Sequence, residues 1–208
     1  MDRLLKPLDF WQVFVEVMRN PHIPDFGDYY NNMPTKKRSR NIRPRTDVML
    51  KNANNVMMSV IRILKERGFL EKVGETSTER YIDVSYATGD WWKGEKYYQL
   101  AVEVENDLRE LRGTILDLIR FQARMKVAVF YSQEHVDQRR QIEDKLQEVA
   151  HNFTNQGFRE ATDTGYLIVV APDRFAEGSN SVSQRCVAYR FNGLEEVMSG
   201  RWEEESLW

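Results

Sequence analysis

The segments Tyr81–Tyr86 (YIDVSY) and Gln99–Asn106 (QLAVEVEN) decide the fold of this 208-residue chain. Each segment is short, rich in β-branched and aromatic residues and bounded by polar turn residues, which is typical of a β-strand. Acids interrupt both apolar runs, because Asp83 lies in the first segment and Glu103 and Glu105 lie in the second. Since residues two apart on a strand share a face, Glu103 and Glu105 are expected to point to the same side of a sheet.

These three acids predict a cation site. The polar connection Ala87–Lys96 is long enough to let the two strands pair antiparallel, so that Asp83 and Glu103 approach one ion from two sides. The carbonyl of Val104 could complete the ligand set, and clustered oxygens suit a hard divalent cation such as Mg²⁺. Glu105 would hold or deprotonate a water molecule beside that ion, which is the chemistry of a metal-dependent phosphodiester hydrolase. The alternative interpretation is an acidic, solvated sheet face without catalytic function.

Composition limits the class of protein. Apolar residues make up 41% of the chain, which is enough for a substantial core. The formal net charge of −2 excludes a protein that is basic overall, so any attraction to phosphate must be local. Cys186 is the single cysteine, which excludes a disulfide framework and fits a reducing cytoplasm. We expect no signal peptide and no membrane span.

The order of the predicted elements indicates the fold class. The pattern is α, β, β, α, β, α, β, β, which predicts an α/β fold with a mixed central β-sheet flanked by helices on both faces. We divide the chain into an N-terminal helix and basic loop, residues 1–46, and one domain over residues 47–208. Besides the two acidic strands, the predicted helices are Leu8–Met18, Asp47–Arg67, Asp107–Arg124 and Glu134–Asn152, and the predicted strands are Lys126–Ser132, Tyr166–Ala171 and Cys186–Phe191.

The chain contains Ile82-Asp83-Val84, followed by Glu103-Val104-Glu105, an amphipathic helix and an apolar strand. This pattern resembles the PD-(D/E)xK nuclease superfamily. The resemblance implies a restriction-endonuclease-like core in the order α-β-β-β-α-β. Glu105 stands where that family usually has a lysine, as in the Glu-x-Glu variant of the Bam-type type II restriction endonucleases. In that variant a further glutamate ends the helix before the strands, and Glu66 lies at the matching distance before Asp83.

The resemblance implies an endonuclease that uses Mg²⁺ or Mn²⁺ to cut double-stranded DNA and works as a symmetric homodimer. The implied catalytic residues are Asp83, Glu103, Glu105 and Glu66, with Asp83, Glu103 and Val104 as metal ligands. An apolar stripe at helical spacing ends at Leu64 and consists of Ala53, Val56, Met57, Val60, Ile61 and Leu64. An ideal helix places Glu66 nearly opposite this stripe, so a surface charge is the alternative interpretation of this residue. Glu71 and Glu79 are the fallback candidates.

A basic run between residues 36 and 45 contains six cations and no acid. As an arm that contacts phosphate, it would supply the attraction that the net charge lacks. The alternative is a solvated, flexible loop. The six cations are Lys36, Lys37, Arg38, Arg40, Arg43 and Arg45.

A second hypothesis for the whole protein is a non-catalytic nuclease-fold protein that binds nucleic acid or a protein partner.

Overall fold

The computed structural model describes residues 4–19, 49–50, 55–79, 82–89, 96–105, 108–132, 138–155, 163–172, 187–193, 196 and 203–206. Among these residues, no helix is long and apolar enough to cross a membrane. In chain order the elements are α1 (Pro7–Met18), α2 (Val56–Glu66), β1 (Glu75–Glu79), β2 (Ile82–Thr88), β3 (Tyr97–Glu105), a 3₁₀ turn (Leu108–Glu110), α3 (Leu111–Arg120), β4 (Ala123–Ser132), α4 (Gln138–Asn155), β5 (Gly165–Pro172), β6 (Val187–Asn192) and β7 (Glu203–Ser206).

Seven strands of the described chain form one mixed sheet, and their order in space is their order in sequence. Strands β1, β2 and β3 pair antiparallel, as do β5, β6 and β7. Strand β4 lies in the centre and pairs parallel with β3 and with β5. Parallel neighbours need a crossover connection, which α3 and α4 supply. The predicted α/β fold with a mixed central sheet and flanking helices is therefore confirmed.

The core lies on both faces of the sheet because side chains alternate along each strand. On β4, Met125, Val127 and Val129 pack in a cluster with α1 and α2, which we call the α1–α2 core. Ala128 and Phe130 pack with α3 and α4 on the opposite face, which we call the α3–α4 core. Helix α1 thus shares a core with the sheet, while the predicted boundary between residues 46 and 47 lies outside the described residues.

Helix α3 ends earlier than the sequence pattern predicts. It stops at Arg120, and β4 already begins at Ala123, so the prediction of helix up to Arg124 is wrong. Phe121 adopts an extended conformation, and its ring packs edge-on against Tyr98 with 4.4 Å between centroids. Ala123 pairs with Tyr98 in the parallel ladder, so pairing with β3 overrides the helical pattern here.

The start of α2 is set by a side-chain cap. The Asn55 side-chain oxygen accepts a hydrogen bond from the Met58 N–H at 2.7 Å, which satisfies one of the N–H groups left open at a helix start. The pattern predicts a helix from Asp47 to Arg67, and its end is confirmed within one residue at Glu66. Most of the predicted part before Asn55 lies outside the described residues.

Candidate functional site

Asp83 on β2 and Glu103 on β3 lie opposite each other. The antiparallel ladder pairs Val84 with Val102, and the same register places Asp83 beside Glu103 one step further. The Asp83 N–H donates a hydrogen bond to Glu103 Oε2 at 2.9 Å. The Val104 N–H donates a hydrogen bond to Asp83 Oδ2, also at 2.9 Å. The predicted antiparallel pairing of the two acids is confirmed, and each carboxylate also binds a backbone amide.

Glu105 lies on the same side of β3 as Glu103. Val104 between them is 4% exposed and packs in the α1–α2 core. Both glutamates are half-buried, and Ala101, two residues before Glu103, packs in the α3–α4 core. The two glutamates therefore face the side of the sheet that α3 covers. The proposed metal-binding role of the Val104 carbonyl stays a prediction.

The electrostatics of this site are dominated by negative charge. Burial, followed by the negative charge of the Asp83 carboxylate, is the main cause that raises the pKa of Glu103 from its ordinary value of 4.5 to about 8. The N–H of Asp83 opposes these effects, because it stabilises the charged carboxylate, and Glu105 and Asp117 add to the increase. Without a cation, the Glu103 carboxyl therefore holds a proton at neutral pH.

The sequence analysis missed Asp117. This residue lies on α3, and its negative charge acts on Glu103 from that helix. Its Oδ1 is 3.5 Å from Arg120 Nη1, and its side chain is 32% exposed. An isolated acid on an amphipathic helix usually lies on the solvated face, so nothing in the local sequence distinguishes it. Only the packing of α3 on β3 brings it to the site.

The facing pair can be compared with the ligands that a divalent metal ion requires. Among the described residues, no group of three or more His, Cys, Asp and Glu side chains is placed so that it could hold a metal ion. Asp83 and Glu103 form a facing pair of oxygen donors, and Mg²⁺ is commonly held by one or two carboxylates together with water and substrate phosphate. The pair therefore offers two carboxylates, and the role of Asp83 and Glu103 as metal ligands stays a prediction.

The structure places Glu66 away from this pair. Glu66 ends α2, which packs in the α1–α2 core on the opposite face of the sheet from Glu103. Its side chain is 60% exposed, and its Oε1 lies 3.6 Å from Arg62 Nη1. The described contacts therefore favour the surface-charge interpretation, and a catalytic role for Glu66 stays a prediction.

The fallback candidates have other contacts. Glu71 Oε1 accepts a hydrogen bond from Gln99 Nε2 at 2.9 Å, and its carbonyl accepts one from the Tyr86 hydroxyl. Glu79 lies on β1 and pairs in the β1–β2 ladder with Ile82, which is the residue before Asp83 in the sequence.

A buried lysine, Lys126, also escaped the sequence analysis. It is 2% exposed on β4, and its Nζ donates to the Tyr166 hydroxyl at 3.1 Å and to the Ile119 carbonyl at 3.5 Å. Ile119 lies in the last turn of α3, where a cation is stabilised by the helix dipole. The predicted DNA-contacting cations between residues 36 and 45 lie outside the described residues.

Comparisons with known proteins do not assign a family. No family model matches the chain, and no curated protein matches it. Among solved structures, the chain is similar to the central domain of yeast acetyl-CoA carboxylase, with 8% sequence identity and a TM-score of 0.38. The alignment covers 94% of this chain and 34% of that one, so this chain spans about a third of its length.

Proposed function

We propose that the protein is a metal-dependent endonuclease that hydrolyses DNA phosphodiester bonds. The main support is the facing pair of Asp83 and Glu103, with the negative charges of Glu105 and Asp117 acting on Glu103. Carboxylates gathered in a half-buried place resist ionising together, and a bound divalent cation removes that resistance. The same cation can contact a phosphate oxygen of a substrate.

The order of the elements gives independent support. Helix α2, strands β1, β2 and β3, helix α3 and strand β4 follow the order α-β-β-β-α-β that the resemblance to PD-(D/E)xK nucleases implies. Asp83 lies on the second of these strands, and Glu103 and Glu105 lie on the third. Asp83 and Glu103 thus lie on neighbouring strands that a helix and a strand follow, as in the sequence pattern on which the resemblance rests.

Each residue has a distinct role in the proposed reaction. Asp83 and Glu103 would hold the cation, which would neutralise a phosphate oxygen of the substrate and lower the pKa of a nearby water. Glu105, which follows Glu103 on the same side of β3, would position that water and accept its proton. The buried amine of Lys126 on β4 donates a hydrogen bond to the Tyr166 hydroxyl.

The substrate and assembly follow from the resemblance. We propose that double-stranded DNA is the substrate and that two copies act together, because a two-fold protein matches a two-fold duplex. A type II restriction endonuclease is one such enzyme. The cations between residues 36 and 45 would contact phosphates, which predicts that DNA binding weakens as salt concentration rises.

The activity is tested by incubating supercoiled plasmid with the purified full chain in Mg²⁺, in Mn²⁺ and in EDTA. We expect nicked or linear plasmid with either metal and none in EDTA. Discrete fragments would indicate recognition of a sequence, whereas a smear would indicate a non-specific enzyme. A folded protein that cuts neither the plasmid nor a random-sequence duplex pool with any metal would contradict the proposal.

A second candidate function is a nuclease-fold protein that binds nucleic acid or a partner without cutting. Two observations favour it: both carboxylates of the pair already accept backbone N–H groups, and the described residues contain no three-ligand group. In that case Asp83 and Glu103 join β2 to β3 and have no catalytic role. A binding protein should keep its affinity for nucleic acid in EDTA and should show no cleavage in Mn²⁺.

A further inference from the structure

A cavity of about 570 Å³ lies between the start of α1 and strands β6 and β7. Its volume falls within the range of roughly 300–1,000 Å³ that is usual for small-molecule sites. Ala188 on β6 packs in the α1–α2 core, and Arg190, two residues further along the strand, lines the cavity from the same face. The cavity is therefore on the opposite side of the sheet from Glu103.

Packed elements of the fold form its walls. A Cβ added at Gly165 on β5 would lie 2.9 Å from Pro7 Cδ in the first turn of α1, so the glycine allows the helix to approach. Gly165 pairs with Asn192 in the β5–β6 ladder, which brings the start of α1 beside the end of β6. The chain then turns at Gly193 (φ 71°), and Glu196 Oε2 accepts a hydrogen bond from the Asn192 N–H at 2.5 Å. Pro7, Asn192 and Glu196 all line the cavity.

Arg190 and Glu203 form an ion pair of unequal burial within this cavity. The Arg190 side chain is 25% exposed, whereas the Glu203 side chain is 66% exposed. The guanidinium donates from Nη2 to Glu203 Oε2. A largely buried cation depends on an anionic partner, while water solvates an exposed carboxylate well. Glu203 can therefore be exchanged for another anionic oxygen group at little cost.

Exchange of Glu203 leaves an excess of positive charge. Among the described residues that line the cavity, two cations, Lys6 and Arg190, then face one acid, Glu196. Glu196 already accepts the Asn192 N–H. Leu8 adds apolar surface beside Lys6. The charges favour an anion, and the volume leaves room for an organic group attached to it.

We propose that this cavity binds a small organic anion whose carboxylate or phosphate replaces Glu203 at Arg190. The planar guanidinium can donate two parallel hydrogen bonds to either group. Lys6 contacts the same anionic group from the start of α1, and the apolar part of the ligand packs against Leu8. Glu203 then acts as an internal competitor that occupies Arg190 when the ligand is absent. The site is separate from the proposed nuclease site.

Isothermal titration calorimetry of the full chain in EDTA tests the site with two matched pairs of probes. Adenosine monophosphate is compared with adenosine, and phenylacetate is compared with phenylacetamide. We expect the charged member of at least one pair to bind about tenfold or more tightly than its neutral partner. The pair that shows this difference identifies phosphate or carboxylate as the preferred group.

Four variants connect binding to the named side chains. Arg190→Gln should weaken binding of the charged probe about tenfold or more, and Lys6→Gln, at an exposed position, should weaken it about twofold or more. Glu203→Gln should tighten it about twofold to fivefold, because the competitor is lost. Glu75→Gln removes the same charge from the opposite edge strand and should leave binding unchanged.

The other outcomes contradict the proposal. Failure of both charged probes to bind the folded chain would overturn the site. Equal affinity for the charged and neutral members of each pair would overturn the assignment of an anion. An effect of Glu203→Gln no larger than that of Glu75→Gln would overturn the exchange at Arg190.

Discussion

Replacing Glu103 by glutamine should make stability less dependent on pH. The folded carboxyl holds its proton up to about pH 8, whereas the ordinary value for the side chain is 4.5. Between these values the native state binds more protons than the unfolded state, so the free energy of unfolding falls as pH rises through that window. Glutamine resembles the protonated carboxyl and can still accept the Asp83 N–H, but it does not ionise.

The size of the effect follows from the pKa. An increase of the pKa from 4.5 to about 8 sets an upper limit of about 5 kcal/mol, at about 1.4 kcal/mol for each unit of pKa. Since the Glu103 side chain is only half-buried, solvent screening reduces this to roughly 2 kcal/mol. Glu103→Gln should therefore be more stable than the wild type by roughly 2 kcal/mol near pH 9 and nearly equal to it near pH 5.

Urea unfolding in EDTA at both pH values measures this difference. Comparing the variant with the wild type at each pH cancels the contributions of other titrating groups. Glu75→Gln, which changes an exposed acid on β1, is the matched control and should show the same small change at both pH values. Equal effects of Glu103→Gln near pH 5 and near pH 9 would refute the account of Glu103.

Three further predictions concern stability, and urea or thermal unfolding checks all of them. Lys126→Ala should cost about 2–4 kcal/mol, because it leaves a cavity in the core and removes the hydrogen bond from Lys126 to the Tyr166 hydroxyl. Lys126→Met, which fills the same space, should cost less than about 1.5 kcal/mol, and equal losses would refute this. Gly74→Ala should cost about 1–3 kcal/mol, since an added Cβ would lie 2.5 Å from the Tyr86 hydroxyl oxygen; a neutral result would contradict that packing. Asn55→Ala should cost about 1 kcal/mol or more, because it removes the α2 cap and the hydrogen bond from the Asn55 amide to the Leu50 carbonyl. Asn55→Asp should keep the cap but lose the second bond, so a loss as large as that of the alanine variant would contradict the contribution of the cap.

Hydrophobic periodicity predicted the elements that carry the core. The stripe that ends at Leu64 and the apolar run of β4 were both recognisable, because burial on one or both faces leaves a regular pattern. The facing pair of Asp83 and Glu103 was predictable for the same reason, since two acids interrupting adjacent strands stand out against apolar neighbours.

Features without an apolar pattern were not predictable. The edge strands β1 (ETSTE) and β7 (EEES) are polar and have only one strand neighbour each, so neither shows the alternation of a half-buried strand. Such charged edges discourage pairing with other chains. Lys126 lies within an apolar run, but only its contacts with Tyr166 and Ile119 show how the amine is accommodated. Asp117 reaches the site only through the packing of α3.

The most direct test of the central claim compares two charge-matched variants in the plasmid assay with Mg²⁺. Asp83→Asn removes one carboxylate of the facing pair, and Glu75→Gln removes one from the exposed edge strand. If the pair is a hydrolytic metal site, Asp83→Asn should lose cleavage by at least about a hundredfold while unfolding as cooperatively as the wild type, and Glu75→Gln should cut normally. Unchanged cleavage by Asp83→Asn would show that the activity belongs to another site.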